Sequence, residues 1–402
     1  MRLLFCDEHD PKEMAQRQAV LSKTDEWWRA FEERRSAIVA LFKNEVKWDL
    51  PRWMQDHLQA ISPDLMWEFG PAVKCEGHRL VITPESEKHL RPLVDLILQR
   101  APQIPGWEFY PYRLPETVER AQMGVSGRTG GSLEGVKANV RTGESGRIDL
   151  TYLSPRCKSP DDQQSLNVAF VATEELLGEE LLDKWVGMIK VAPLPTTKGI
   201  LGLFRTETKS PPGTVALDRL KPTVDSLASC AMEQRPTDPC YAWVENTTWS
   251  CLELKPQESL DYVRQHDLFV GTTAILDLWQ TAHSEMAFYS ERFSRCGEVF
   301  CYVKLDGCDG LGEEGFRDKA EIQDALNAAL VPQQLGCHIG GGTGLRYSYV
   351  DLAMADLRRG IDVARSVLAK GKVPRRTWIL FFDSTLATEW VGIYDDTPPP
   401  TM

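Results

Sequence analysis

Three runs near the C-terminus decide the fold: residues 298–305 (EVFCYVKL), 346–354 (RYSYVDLAM) and 377–382 (TWILFF). Each is short, rich in β-branched and aromatic residues, and bounded by turn-forming or charged residues, so each reads as a strand. Between them, residues 319–330 (KAEIQDALNAAL) read as a helix and residues 335–339 (LGCHI) as a further strand. Asp356 then caps a second helix, with Leu357, Ile361, Ala364 and Val367 on one face. The order β-α-β-β-α-β is that of a split βαβ, or ferredoxin-like, unit spanning residues 296–395. Residues 389–394 read as an added edge strand.

The same alternation extends upstream. A helix over residues 26–43 carries Trp27, Phe31, Ile38 and Phe42 on one side, and a second begins at Asp49 with Pro51 in its first turn. Residues 65–73 and 77–83 read as a hairpin, Ser86 starts a helix, and residues 107–112 return as a strand. The glycine-rich residues 122–135 read as a loop, residues 136–140 and 147–153 as a hairpin, and residues 166–172 as a strand before a helix ending near Lys184. Residues 186–191 look extended. Prolines between Pro193 and Pro222 mark a boundary with little regular structure. Beyond it come a helix through Leu220 and Val224, strand material over 241–254, and residues 268–271 leading into a helix. The expected fold class is α+β: repeated ferredoxin-like units, with antiparallel sheets and helices packed on one face. Three segments are expected: 1–120, 121–215 (either separate from the first or continuous with it) and 216–397.

A chain of 402 residues exceeds what one hydrophobic core usually supports. Fifty-eight acidic against 46 basic residues give a net charge of −12, which repels nucleic acid and favours solubility or association with a basic partner. The ten cysteines lack zinc-site spacing. No charged and then apolar leader opens the sequence, and no apolar stretch is long enough to span a bilayer. These features place the chain in the cytoplasm with reduced thiols.

The phrases Gly340-Gly341-Gly342-Thr343-Gly344, residues 347–352 (YSYVDL) and residues 378–383 (WILFFD) resemble uncharacterised bacterial proteins with ferredoxin-like domains. The resemblance extends to residues 66–70 and the helix after Ser86. It implies a fold, and it brings no activity and no functional residue. A looser fold-level likeness to the ribonuclease E inhibitor B group is analogy alone.

Candidate ligand-binding residues fall in two stretches. Consecutive glycines from Gly340 to Gly344 let backbone amides converge on an anion, although no helix and no Lys-Ser/Thr pair follows them; the competing reading is a tight turn or bulge between strands. His283, Ser290, Arg292 and Arg295, in a region that also holds Ser284 and Tyr289, suit a carboxylate or phosphate, or else pin a loop to the surface. Asp306, Asp309, Glu313 and Glu314 gather oxygen ligands without EF-hand spacing, and no metal or other cofactor is expected. No catalytic motif is present, so the leading reading is a binding or regulatory protein that presents sheet faces or edges to a protein partner. The alternative is an enzyme acting on a phosphorylated or otherwise anionic small molecule.

Overall fold

The computed structural model describes residues 2–143, 146–198, 205–207, 210–307 and 315–401. It opens on a helix longer than its apolar stripe. Asp10 accepts the amide of Lys12 and starts α1 (Pro11–Phe42), yet the buried residues are confined to Thr24, Trp27, Trp28, Phe31 and Ile38. The expected start near Glu26 is therefore the start of the packed portion. Asp49 caps α2 (Leu50–His57) through the amide of Arg52 at 2.9 Å. Strands β1 (Met66–Pro71) and β2 (His78–Thr83) form the expected antiparallel hairpin. After α3 (Arg91–Gln99), β3 (Trp107–Tyr110) pairs parallel to β2. The helices bury this sheet over a core that includes Trp27, Phe31, Met54, Leu80 and Ile97. The Trp28 indole N–H donates to the carbonyl of Ile97 at 2.7 Å, which satisfies the polar edge of a buried ring.

The next stretch departs from its sequence reading twice. Residues 118–129, with 122–129 expected as loop, form α4 (Val118–Thr129), capped by Thr117 and ended by Gly130 at φ 67°. Only Ala121 and Val125 are buried along it, which is why periodicity was faint. A Cβ at Gly124 would lie 2.5 Å from the Glu175 carboxylate, so the small residue lets α4 approach its neighbour closely. Strands β4 (Lys137–Thr142) and β5 (Ile148–Ser154) follow as a hairpin. Residues 166–172 then belong to α5 (Gln163–Leu177), not to a strand: Asp162 caps it, and Ala169, Ala172, Thr173 and Leu176 make one buried stripe. Helix α6 (Glu179–Trp185) leads into β6 (Val186–Pro193), parallel to β5. The proline-rich region contains β7 (Thr196–Lys198), β8 (Arg205–Glu207) and β9 (Thr214–Ala216), and α7 (Leu220–Glu233) follows. The four-stranded sheet has the order β6-β5-β4-β9.

The remaining elements are α8 (Cys240–Trp243), β10 (Ser250–Glu253), β11 (Leu268–Thr273), α9 (Leu276–Ala282), β12 (Val299–Asp306), α10 (Lys319–Leu330), β13 (Gly336–Gly344), β14 (Tyr347–Met354), α11 (Leu357–Lys370), β15 (Thr377–Phe381) and β16 (Trp390–Gly392). Two local expectations are corrected here. The start of the 241–254 region is helical, and the helix expected to follow residues 268–271 directly starts only at Leu276, after strand β11. The seven-stranded sheet runs β10-β11-β13-β14-β12-β15-β16, antiparallel throughout. One face packs Val303, Leu352 and Ile379 against Ile322, Leu326 and Ile361 of α10 and α11, and the other carries a second core around Tyr302, Tyr349 and Trp378. The class is α+β, with the three-stranded and four-stranded sheets each adding one parallel pair.

Contacts group the chain into two units: Met1–Pro111 with Pro236–Ala282 and Phe288–Met402, and Tyr112–Arg235 with His283–Ala287. The first and last expected segments thus share one unit. One tie between them is Glu389, 3% exposed, whose carboxylate accepts the successive amides of Leu3, Leu4 and Phe5 at 2.5–3.1 Å. Among the described residues, no helix is long and apolar enough to cross a membrane, and the described cysteines are free thiols. Glu389→Ala removes the acceptor for these amides. Hydrogen exchange read by mass spectrometry should then show faster exchange over residues 3–5, with the α10–α11 face unchanged.

Candidate functional site

Side chains alternate across a strand, so an apolar run with a charge inside it commits that charge to one face. Along β12 and β14, Cys301, Val303, Leu305, Val350 and Leu352 turn toward α10 and α11. Tyr302, Tyr347 and Tyr349 turn the other way, and alternation sends Lys304 and Asp351 with them. The register sets Lys304 opposite Tyr349 on one side and Trp378 on the other, and Tyr302 opposite Asp351. Lys304 is 1% exposed and Asp351 3%.

Residues 261–267 supply partners for these groups. The Lys304 ammonium donates to the carbonyl of Tyr262 and lies 4.1 Å from the ring centre of Tyr347. Gln265 Nε2 donates to Asp351 Oδ1 at 2.7 Å. The Asp267 carboxylate accepts the amides of Arg346 and Tyr347, each at 2.9 Å, and the phenol of Tyr349. Nearer solvent, Asp261 accepts the Tyr347 phenol at 2.5 Å, Arg376 at 2.9 Å and the Thr401 hydroxyl at 2.8 Å. Asp306 pairs with Arg346 at 3.1 Å and Arg376 at 2.9 Å.

This environment moves the protonation equilibria. Burial draws Lys304 down to about 8, opposed by the charges of Asp261 and Asp267. Burial and the neighbouring Asp267 carboxylate push the Tyr349 phenol up. Asp261 is desolvated, yet the hydroxyls of Tyr347 and Thr401 hold it well below the usual carboxylate range. Burial pushes Asp351 up to about 7, against the Gln265 hydrogen bond and the charge of Lys319. A lysine with a lowered pKa is suited to act as a base or nucleophile. Here its ammonium is enclosed and already donating to a backbone carbonyl, so the arrangement fastens residues 261–267 to the sheet.

The sequence-derived candidates are distributed differently. Gly340, Gly341, Gly342, Thr343 and Gly344 lie within β13, paired with β11 on one side and β14 on the other. The run is strand with a bulge between His338 and Gly340, not a turn between strands. A Cβ at Gly342 would fall 2.3 Å from the Val270 carbonyl oxygen, and Gly341 has φ 146° with the Tyr349 carbonyl 2.2 Å from such an atom. The glycines admit close backbone approach, and their amides sit within ladders instead of around an open anion site.

His283 belongs to the second unit, whereas Ser290, Arg292 and Arg295 belong to the first. Ser290 gives its amide and hydroxyl to Asp383 and accepts the amide of Phe300 at 2.9 Å. Arg292 is buried and Arg295 is exposed. Asp306 stands in the ion cluster described above, and Asp309, Glu313 and Glu314 lie outside the described residues. Among the described residues, no group of three or more His, Cys, Asp or Glu side chains could hold a metal ion. No family model, no curated protein and no solved structure matches the chain.

Sequence reasoning missed Lys304, Asp351, Gln265, Asp267 and Asp261. The available signal was Lys304 within residues 298–305 and Asp351 within residues 346–354, each on the face that alternation assigns to the core. Because the folded pKa of Asp351 lies above its ordinary value, the folded state holds the extra proton. The associated stability is fully present below about pH 4 and is lost as pH rises through about 7. Asp351→Asn keeps a neutral side chain at all pH. Thermal unfolding should show the variant gaining on the wild type between pH 5.5 and pH 8.5 (chosen to bracket the folded value of about 7), and a pH-independent difference would contradict the assignment.

Proposed function

We propose that this chain is a cytoplasmic, non-enzymatic binding protein that takes an extended segment of a protein partner along the outer edge of β6. The observation that carries the reading is the edge itself. Strand β6 runs for eight residues at the end of its sheet and pairs with β5 alone among the described strands. Met188 is 51% exposed on it, and Lys190 is exposed as well. An outermost strand presents backbone donors and acceptors to an incoming strand, and alternate side chains supply selectivity. The net charge of −12 favours a basic partner over nucleic acid. The enclosure of Lys304 supports the non-enzymatic part of the proposal.

We also propose that β12-α10-β13-β14-α11-β15 is a ferredoxin-like unit. Its strands stand in the order β13-β14-β12-β15, with both helices packed into the core on one face. That interleaving is what a split βαβ requires. The three-stranded and four-stranded sheets share a different pattern, a hairpin followed by a helical crossover to a parallel strand, which favours one such unit over a repeated series.

A photo-crosslinking residue at Met188 or Lys190 tests the edge, with the same group at the exposed Ser229 of α7 as control. In a cell extract the β6 positions should yield one discrete protein adduct, with amides 186–193 protected from exchange in the purified complex. Equal adducts from all three positions, or turnover of a small anionic substrate by the purified chain, would contradict the proposal.

A further inference from the structure

Near the start of α5 the second unit contains a cavity of about 290 Å3. Its apolar lining includes the buried Val136, Tyr152, Ala169 and Val191 and the half-buried Val168. The one polar atom of the Tyr152 ring is used internally: its hydroxyl donates to Thr173 Oγ1 at 2.9 Å, which in turn donates to the Ala169 carbonyl at 2.7 Å. The ring therefore offers the cavity an apolar surface.

The mouth is polar and carries positive charge. Arg156 and Lys158 line it, opposed by Asp162. The Asp162 carboxylate is taken by the amides of Ser165 and Lys158, each at 3.2 Å. Arg156 reaches Glu134 at 3.2 Å in an exposed pair that solvent weakens. Ser154 Oγ accepts the Arg156 amide at 3.2 Å, and a hydroxyl accepting there still has its own proton to donate. An apolar chamber with cations and a hydroxyl donor at its opening matches an amphiphile with one anionic end. At about 30 Å3 for each water-sized atom, the chamber holds about ten non-hydrogen atoms.

We infer that this cavity binds a medium-chain monocarboxylate, with the chain against Val136, Val168 and Val191 and the carboxylate at Lys158 and Ser154. Glycine at 131 keeps the chamber wall in place, since a Cβ there would meet Val168 Cγ2 at 2.2 Å. The cavity uses the buried Val191 of β6, and the inference adds a small-molecule ligand without resting on the edge proposal.

Calorimetric titration of the purified full chain with octanoate below its micelle concentration, and in parallel with octan-1-ol, provides the test. Saturable one-site octanoate binding is expected, about fivefold tighter than the alcohol, as one partly exposed ion pair supplies. Ser165→Trp, which fills the mouth from a half-buried position, should abolish binding of both probes. The exposed Lys158→Glu should abolish the preference for octanoate, with circular dichroism confirming both folds. Equal wild-type affinities, unsaturable binding, or octanoate binding indifferent to both substitutions would overturn the assignment.

Discussion

An ammonium group taken out of water must find nearly all of its solvation inside the protein, and at 1% exposure Lys304 is held to that condition. It sits in the middle of a strand whose other face is apolar, so retreat to solvent would cost the register of the sheet. The path of residues 261–267 follows from this demand. Tyr262 supplies a carbonyl, Tyr347 a ring face, and Asp261 and Asp267 supply negative charge.

Once that segment lies over the sheet, neighbouring choices are constrained. The Asp267 carboxylate takes the amides of Arg346 and Tyr347 just beyond Gly344, and a Cβ at Gly344 would lie 2.3 Å from Asp267 Oδ2. The glycine run that looked like an anion loop is therefore the surface on which backbone and carboxylate come close. The aspartates and arginines at the outer edge complete the attachment: Asp261 and Asp306 share Arg346 and Arg376. The cluster's shifted protonation equilibria thus accompany the enclosure of these groups.

Alternation made the C-terminal strands legible because their two faces differ in chemistry along most of their length, as in β14, where Tyr347, Tyr349 and Ala353 oppose Val350, Leu352 and Met354. The same signal failed for α5, where residues 166–172 are apolar on almost every side and fit a strand as well as a helix. It failed for α4 because two buried residues, Ala121 and Val125, hardly register against glycine, serine and arginine. The buried site was hidden for another reason. Lys304 and Asp351 were visible as charges inside strands, but their partners Tyr262, Gln265 and Asp267 lie far away in sequence, on a segment without regular structure. Long-range pairing of that kind leaves no local pattern.

The most direct test of this account is the chemical accessibility of Lys304. The folded chain would be treated at pH 8.5, just above the Lys304 value of about 8, with an amine-acylating reagent, and each lysine followed by mass spectrometry over time. Enclosure predicts that Lys304 is among the last lysines to be modified despite its lowered pKa, and that it reacts readily once the chain is unfolded. Early modification of Lys304 in the folded protein would show an amine open to reagents, and would contradict the reading of this cluster as a fastening.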